Sequence, residues 1–385
     1  MQSTFPLLLV LAAAVPAQQV WVVDQQYGAG AHTRDIPSAV QMAADGDKIL
    51  VRAGVYSATI VQGKSLTFVG EAGAEVRPSQ AEAGFAILDL TAQQQVSIRG
   101  FLIRERTTGG AAGIYLYNNR GTVHLEALRV AQVQIVGLHI ETSDTVSVLD
   151  VQVSGGVQCA FARQSNVAMS QCQLIAGVAG AVGLEALDST MVLSDCDVRG
   201  GDAISSTWGP AMGLVATNST ITLGHAGTSV VAGTGNGASA LPTEAVRASG
   251  GILVYDPSIT LQPSHGGPPI NASGTSVRAQ MVATLTRQTP SQGVLSPLEV
   301  RGNAGDAAFS LVSLLRQSQA TPFGRVFVDP VAFLLVDAGI LDASGSHVFS
   351  LPRPPMSLGT PLILQTMLLD ASNVLTLGTP LAMSY

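Results

Sequence analysis

Two tyrosines, a histidine and two glutamates stand at matched places of a repeating segment: Tyr115 and Tyr117, His139 and Glu141, and Glu185. Aromatic faces beside carboxylate acceptors are what stacking on a sugar chain and hydrogen bonding to it require. Their places are set by six segments, Gly113–Asn118, Gly137–Thr142, Gln158–Arg163, Gly183–Asp188, Gly213–Asn218 and Gly251–Asp256. Most begin with Gly and end with Asn or Asp, residues that accept left-handed backbone angles at turns. Between those ends the apolar residues alternate, which predicts a short strand with one inward face. The inward places read Ile114, Leu138, Cys159, Leu184, Leu214, Ile252 and Leu116, Ile140, Phe161, Ala186, Ala216, Val254. The five candidate ligand-binding residues then point outward. Further along, the outward places hold Leu187, Val215 and Leu253, an apolar strip that predicts a cover over the later coils.

A second pattern, apolar at its first, third, sixth and eighth places, runs in step with the first. It begins at Val96, Val123, Val146, Val167 and Met191, a spacing that signals a solenoid. Each copy describes two short strands around a corner, so every coil carries three strands. The expected architecture is an all-β, right-handed parallel β-helix spanning residues 18–290. The run Ile36–Ala44 has helical spacing, with Ile36, Val40, Ala43 and Ala44 on one face, and predicts an N-terminal helical cap. Proline turns near 290 and 297 predict a boundary, and residues 298–385 read as a small all-β, β-sandwich-like accessory domain.

Composition narrows the function classes. The chain has 385 residues, 12% charged and 46% hydrophobic, with 41 Gly, which suits frequent turns around a continuous core. A net charge of −7 without a basic cluster lacks the electrostatic footprint of a nucleic-acid binder. Residues 1–17 are uncharged and end in Val15-Pro16-Ala17, the pattern of a secretory signal peptide. No later run has the length of a membrane span. Cys172 and Cys196 share an inward place in adjacent coils and Cys159 lies on another strand, so the three predict buried thiols.

Residues 36–71, through Ile36-Pro-Ser-Ala-Val, Gly46-Asp-Lys-Ile-Leu-Val-Arg-Ala-Gly-Val-Tyr56 and Leu66-Thr-Phe-Val-Gly-Glu71, resemble the opening coil of the pectin lyase-like β-helix superfamily, secreted bacterial members included. The resemblance implies a fold and an extracellular setting. It does not carry the pectin methylesterase active site: the Gly-x-Tyr-x-Glu motif is broken, because Gly54-Val-Tyr56 is followed by Ser57-Ala58. The family's aspartate and arginine segments are missing too, as are the polygalacturonase motifs. A lyase of this superfamily would hold Ca²⁺ with carboxylates, and the resemblance makes Asp150, Asp195 and Asp197 the candidate metal ligands. Three carboxylates fall short of the six to eight oxygens Ca²⁺ takes.

The functional expectation is a secreted or cell-surface monomer that binds a polysaccharide or cell-surface glycan without catalysis. The alternatives are a polysaccharide lyase or other carbohydrate-active enzyme of this superfamily, and a structural surface spacer.

Overall fold

The computed structural model describes residues 18–79, 82–104, 112–178, 180–202, 211–224, 227–234, 242–287, 297–314, 319–321, 324–328, 333–351 and 361–384. Residues 1–17, read as a signal peptide, and 288–296, which carry the expected boundary, lie outside the described residues.

From Val20 to Ala279 the strands form one 23-stranded sheet whose neighbours pair in parallel. The sheet winds into coils with three rows of stacked strands. A first row carries the tyrosines and starts at Thr59–Gln62 and Phe85–Leu88. A middle row starts at Val20–Val23, and a third at Gly54–Tyr56. Two strands, Ala112–Val133 and Val136–Gly155, pass through all three rows without a break. This is the right-handed parallel β-helix that the repeats predict.

Each corner needs a left-handed residue. Between the first and middle rows Asn118, Thr142, Asp188 and Asn218 have φ of 53°, 48°, 50° and 48°. Just beyond that corner Ser143, Ser165, Ser189 and Ser219 are buried and stack coil upon coil. The Ser143 N–H donates to Ser165 Oγ at 3.1 Å, that of Ser165 to Ser189 Oγ at 3.2 Å, and that of Ser189 to Ser219 Oγ at 3.1 Å. The hydroxyls of Ser165 and Ser189 donate in turn to the carbonyls of Arg163 and Leu187. Backbone groups at a tight corner are thereby satisfied without water.

The inward columns read Ile114, Leu138, Ala160, Leu184, Leu214, Val246 and Leu116, Ile140, Ala162, Ala186, Ala216, Ala248. They differ from the sequence expectation at two coils. In Gln158–Arg163 the frame is one residue on, so Phe161 faces outward while Cys159 stays buried. Two consecutive left-handed glycines, Gly155 and Gly156, feed the strand in at that phase, and the two alanines fill the core instead. In the last coils Gly250 and Gly251, at φ 72° and 79°, form the corner. Ile252–Tyr255 therefore belongs to the middle row, where Leu253 is an inward core residue paired with Ile221. It is not part of an outward strip.

Helix α1 (Ile36–Met42) closes the first coil. Asp35 caps it, accepting from the Ser38 N–H at 2.8 Å, and Pro37 sits in its first turn. Ile36, Ala39 and Val40 join the core cluster that holds Val23 and Ile49, whereas Ala44 falls beyond the helix and is exposed. Lys64 Nζ donates to the carbonyls of Val40 and Ala43, both at 2.8 Å, and fixes the helix end over the coil.

From Thr284 the pairing turns antiparallel. Thr284–Arg287, Pro297–Arg301 and Ser346–Ser350 form one sheet; Leu334–Ile340, Ala307–Leu314, Pro361–Leu369 and Leu375–Leu377 form another, with Leu381–Ser384 beside Pro361–Leu369. Leu298 and Phe349 of the first share a core with Ala308, Leu364 and Leu368 of the second, the packing of a small sandwich. These strands lie on the outer face of the middle row. Leu149 enters their core, and Ala168 packs with Leu311, Phe327 and Ile363. The cover therefore falls on the middle row rather than over Leu187 and Val215, which remain half-buried on the first row.

Candidate functional site

The first row presents its outer face beside helix α1. Parallel register places Ala86, Tyr115, His139, Phe161, Glu185 and Val215 in one outward column. Tyr117, Glu141, Arg163 and Leu187 form the next. All five candidate ligand-binding residues thus meet on one face, as their spacing predicts. Phe161 joins them, and the frame misread at Gln158–Arg163 is why sequence reasoning placed it in the core.

The aromatic rings make a continuous row. Tyr115 and His139 meet edge to face with centroids 5.0 Å apart, and His139 and Phe161 do the same at 5.1 Å. Tyr117 stacks on Tyr115 at 6.0 Å and is 42% exposed. Such edge-to-face contacts stiffen a row of rings while leaving faces and rims for a ligand. Between this row and helix α1 lies a groove of about 820 Å³, lined by Pro37, Val40 and Gln41 on the helix side and by Ile60, Ala86 and Tyr115 on the sheet side. That volume is in the range of small-molecule sites, and the lining is mainly apolar with a few polar groups.

The polar groups are held in pairs. Glu141 lies 3.8 Å from His139 Nε2 and 3.4 Å from an Arg163 guanidinium nitrogen. Gln158 donates its amide to Glu185. Burial pushes the His139 pKa down and outweighs the opposing pull of Glu141, so the imidazole stays neutral at pH 7. Burial also raises the Tyr115 phenol, with Glu141 and Tyr117 acting in the same direction. The face can therefore offer neutral rings, phenol and imidazole donors and carboxylate acceptors.

The three aspartates read as calcium ligands are not brought together. Asp150 and Asp195 are corner residues, at φ 52° and 56°, with the Gln171 coil between them. Two strand spacings put their backbones roughly 10 Å apart. Burial raises both carboxyls, against the pull of Arg287 on Asp150 and of the Gln171 hydrogen bond on Asp195. Asp197 instead binds Arg199 at 2.9 Å and accepts from Ser229 Oγ at 2.6 Å, and these contacts overcome burial to lower its pKa. Among the described residues no three His, Cys, Asp or Glu side chains are grouped to hold a metal. The three aspartates named as candidate calcium ligands are thus not gathered around one point.

Comparison with solved structures finds pectin methylesterases, at low identity and low TM-score. Pectin methylesterase PemA from Erwinia chrysanthemi is 12% identical, matched over 68% of this chain and 90% of that one, at a TM-score of 0.35. A pectin methylesterase in complex with a hexasaccharide is 12% identical over 71% of this chain and 83% of its own, also at 0.35. The parallel β-helix rests on this chain's own strand pairing. A third pectin lyase-like neighbour, the pectin methylesterase from Aspergillus niger, is 12% identical over 69% of this chain and 87% of that one, at 0.29. At such identities the likeness is one of fold alone. No family model matches the sequence, and no curated protein does. Among the described residues no helix is long and apolar enough to cross a membrane.

Proposed function

We propose that this pectin lyase-like β-helix is a secreted or cell-surface protein that binds a polysaccharide or cell-surface glycan without transforming it. The observation that carries this reading is the unbroken row of Tyr117, Tyr115, His139 and Phe161, of which Tyr115 and His139 line the groove beside helix α1. A sugar chain laid along the solenoid axis would meet one ring per coil, with Glu141, Glu185 and Gln158 at hand for its hydroxyls. The Thr284–Ser384 strands act as an accessory domain that seals the middle row and leaves the first row as the working face. Export rests on the signal-peptide reading of residues 1–17, and the protein acts as a monomer.

The test is a glycan array on the full chain followed by calorimetry on the hits. Tyr115→Ala and Phe161→Ala should each weaken binding about tenfold, since base rates for a buried aromatic contact are of order 1–3 kcal/mol. Wild-type affinity in both variants, or an array without a hit, would sink the proposal.

A further inference from the structure

We propose that this face takes sugar chains that lack carboxylates and discriminates against uronate polymers. The inference rests on the glycan-binding reading above and adds the class of ligand.

The carboxylates of this face are Glu82, which lines the groove, and Glu141 and Glu185 in the outward columns beside it. The cation set against them is Arg163, and it is engaged by Glu141 at 3.4 Å. Three coils on from Arg163, Arg247 is bound by the buried Glu244. His139 supplies no compensating charge, because burial keeps its ring neutral. Glu185 is met by the amide of Gln158 and Glu82 by the hydroxyl of Ser79, partners that hydrogen-bond a carboxylate without neutralising it. Among the described residues the face thus carries two carboxylates in excess over its cations. The whole chain adds to this with its net charge of −7.

A chain of uronates would bring one further negative charge per sugar onto rings spaced a coil apart. Like charges brought close together repel, and more so beside an apolar wall, so each uronate opposes the gain from stacking. Neutral hydroxyls have the opposite prospect, because a carboxylate accepts strongly from them. An amino sugar adds attraction to the same contacts.

The experiment compares three probes on the full chain by calorimetry: a neutral xylo-oligosaccharide, a chitosan oligosaccharide and an oligogalacturonate, at about 20 mM and about 1 M salt. At low salt the oligogalacturonate should bind at least tenfold more weakly than the neutral probe, and the chitosan probe at least as tightly. High salt, with a Debye length of about 3 Å, should shrink both differences to about twofold. The double variant Glu82→Gln/Glu185→Gln should raise oligogalacturonate affinity several-fold relative to that of the neutral probe. Oligogalacturonate binding at parity with the neutral probe at low salt, or a double variant without effect on that ratio, overturns the charge selection while the glycan-binding reading stands. Failure of every probe, with an array that also lacks hits, overturns the reading beneath it and this inference together.

Discussion

Replacing Glu126 by Ala tests how the antiparallel strands are fixed to the solenoid. Glu126 lies on the outer face of the middle row, 6% exposed, with its Oε2 3.2 Å from His124 Nε2 and its Oε1 3.5 Å from an Arg287 guanidinium nitrogen. His124 is fully buried, and its Nδ1 has no hydrogen-bond partner in the structure. The substitution would leave the imidazole without the acceptor at its other nitrogen and would strip Arg287 of its nearest carboxylate. Breaking a buried pair from one side costs about 3–5 kcal/mol. Arg287 is 22% exposed at its side chain and also feels Asp150, so the effect should fall near the low end, about 3 kcal/mol. Hydrogen exchange on the full chain reads it out locally. Thr284–Arg287 and Pro297–Arg301 should lose protection, whereas the first coils, such as Lys48–Val51 and Leu66–Gly70, should keep theirs. Unchanged protection at Thr284–Arg301, with unfolding free energy within about 0.5 kcal/mol of the parent, would refute the idea that this network joins the two parts.

Register is tested by a pair of substitutions: Leu138→Asp should abolish folding, because it buries a lone charge in the core, whereas Phe161→Asp should leave a soluble, folded protein that has lost its ligand. Circular dichroism decides, and an unfolded Phe161→Asp would return that strand to the opposite frame. Burial works to raise the Asp47 carboxyl, but hydrogen bonds from Trp21 Nε1 and from the Ala44 and Gln19 N–H groups outweigh it and hold the pKa below its ordinary value. A depressed acid contributes stability that is present above its unfolded value, near pH 4, and is lost as pH falls through the lower folded one. Melting of Asp47→Asn should therefore depend less on pH below about 4 than the parent does, and parallel curves would remove the assignment. Methylated pectin should release no methanol on incubation with the protein, since Ser57-Ala58 stands where the esterase motif needs its glutamate; enzyme-dependent release would show that other residues perform the chemistry.

The solenoid was legible because each coil repeats the same burial problem, so apolar alternation at Val96, Val123, Val146 and Val167 marks the same strand every time. The outward placing of Tyr115, His139 and Glu185 follows from that alternation. It failed at Gln158–Arg163 because Cys-Ala-Phe-Ala is apolar in both frames, and only the phase set by Gly155 and Gly156 chooses between them. The same ambiguity hid Phe161 from the site. The serine stack left a signal, a Ser one place past each corner, but a hydroxyl in a loop-like position reads as turn chemistry until neighbouring coils are superposed. Which face the C-terminal strands cover could not be read, because Glu126 and Arg287, or Ala168 and Ile363, meet across long stretches of chain with no shared period.

Coil length varies mainly at one place. The longer connections, Arg104 to Ala112, Arg199 to Leu214 and Val231 to Val246, all run from the third row into the next strand of the first. From Arg163 onward the corner between the first and middle rows, with its left-handed residue and stacked serines, keeps one length, as Arg163 to Val167, Leu187 to Met191 and Thr217 to Ile221 show. Insertions and deletions can therefore accumulate along a single edge of the solenoid, and that edge borders the aromatic face. A lineage of such proteins could alter what surrounds its ligand by lengthening or trimming these connections, with the stacked core and its register inherited intact. The division resembles that between framework and hypervariable loop in an antibody, achieved here by the pitch of a coil.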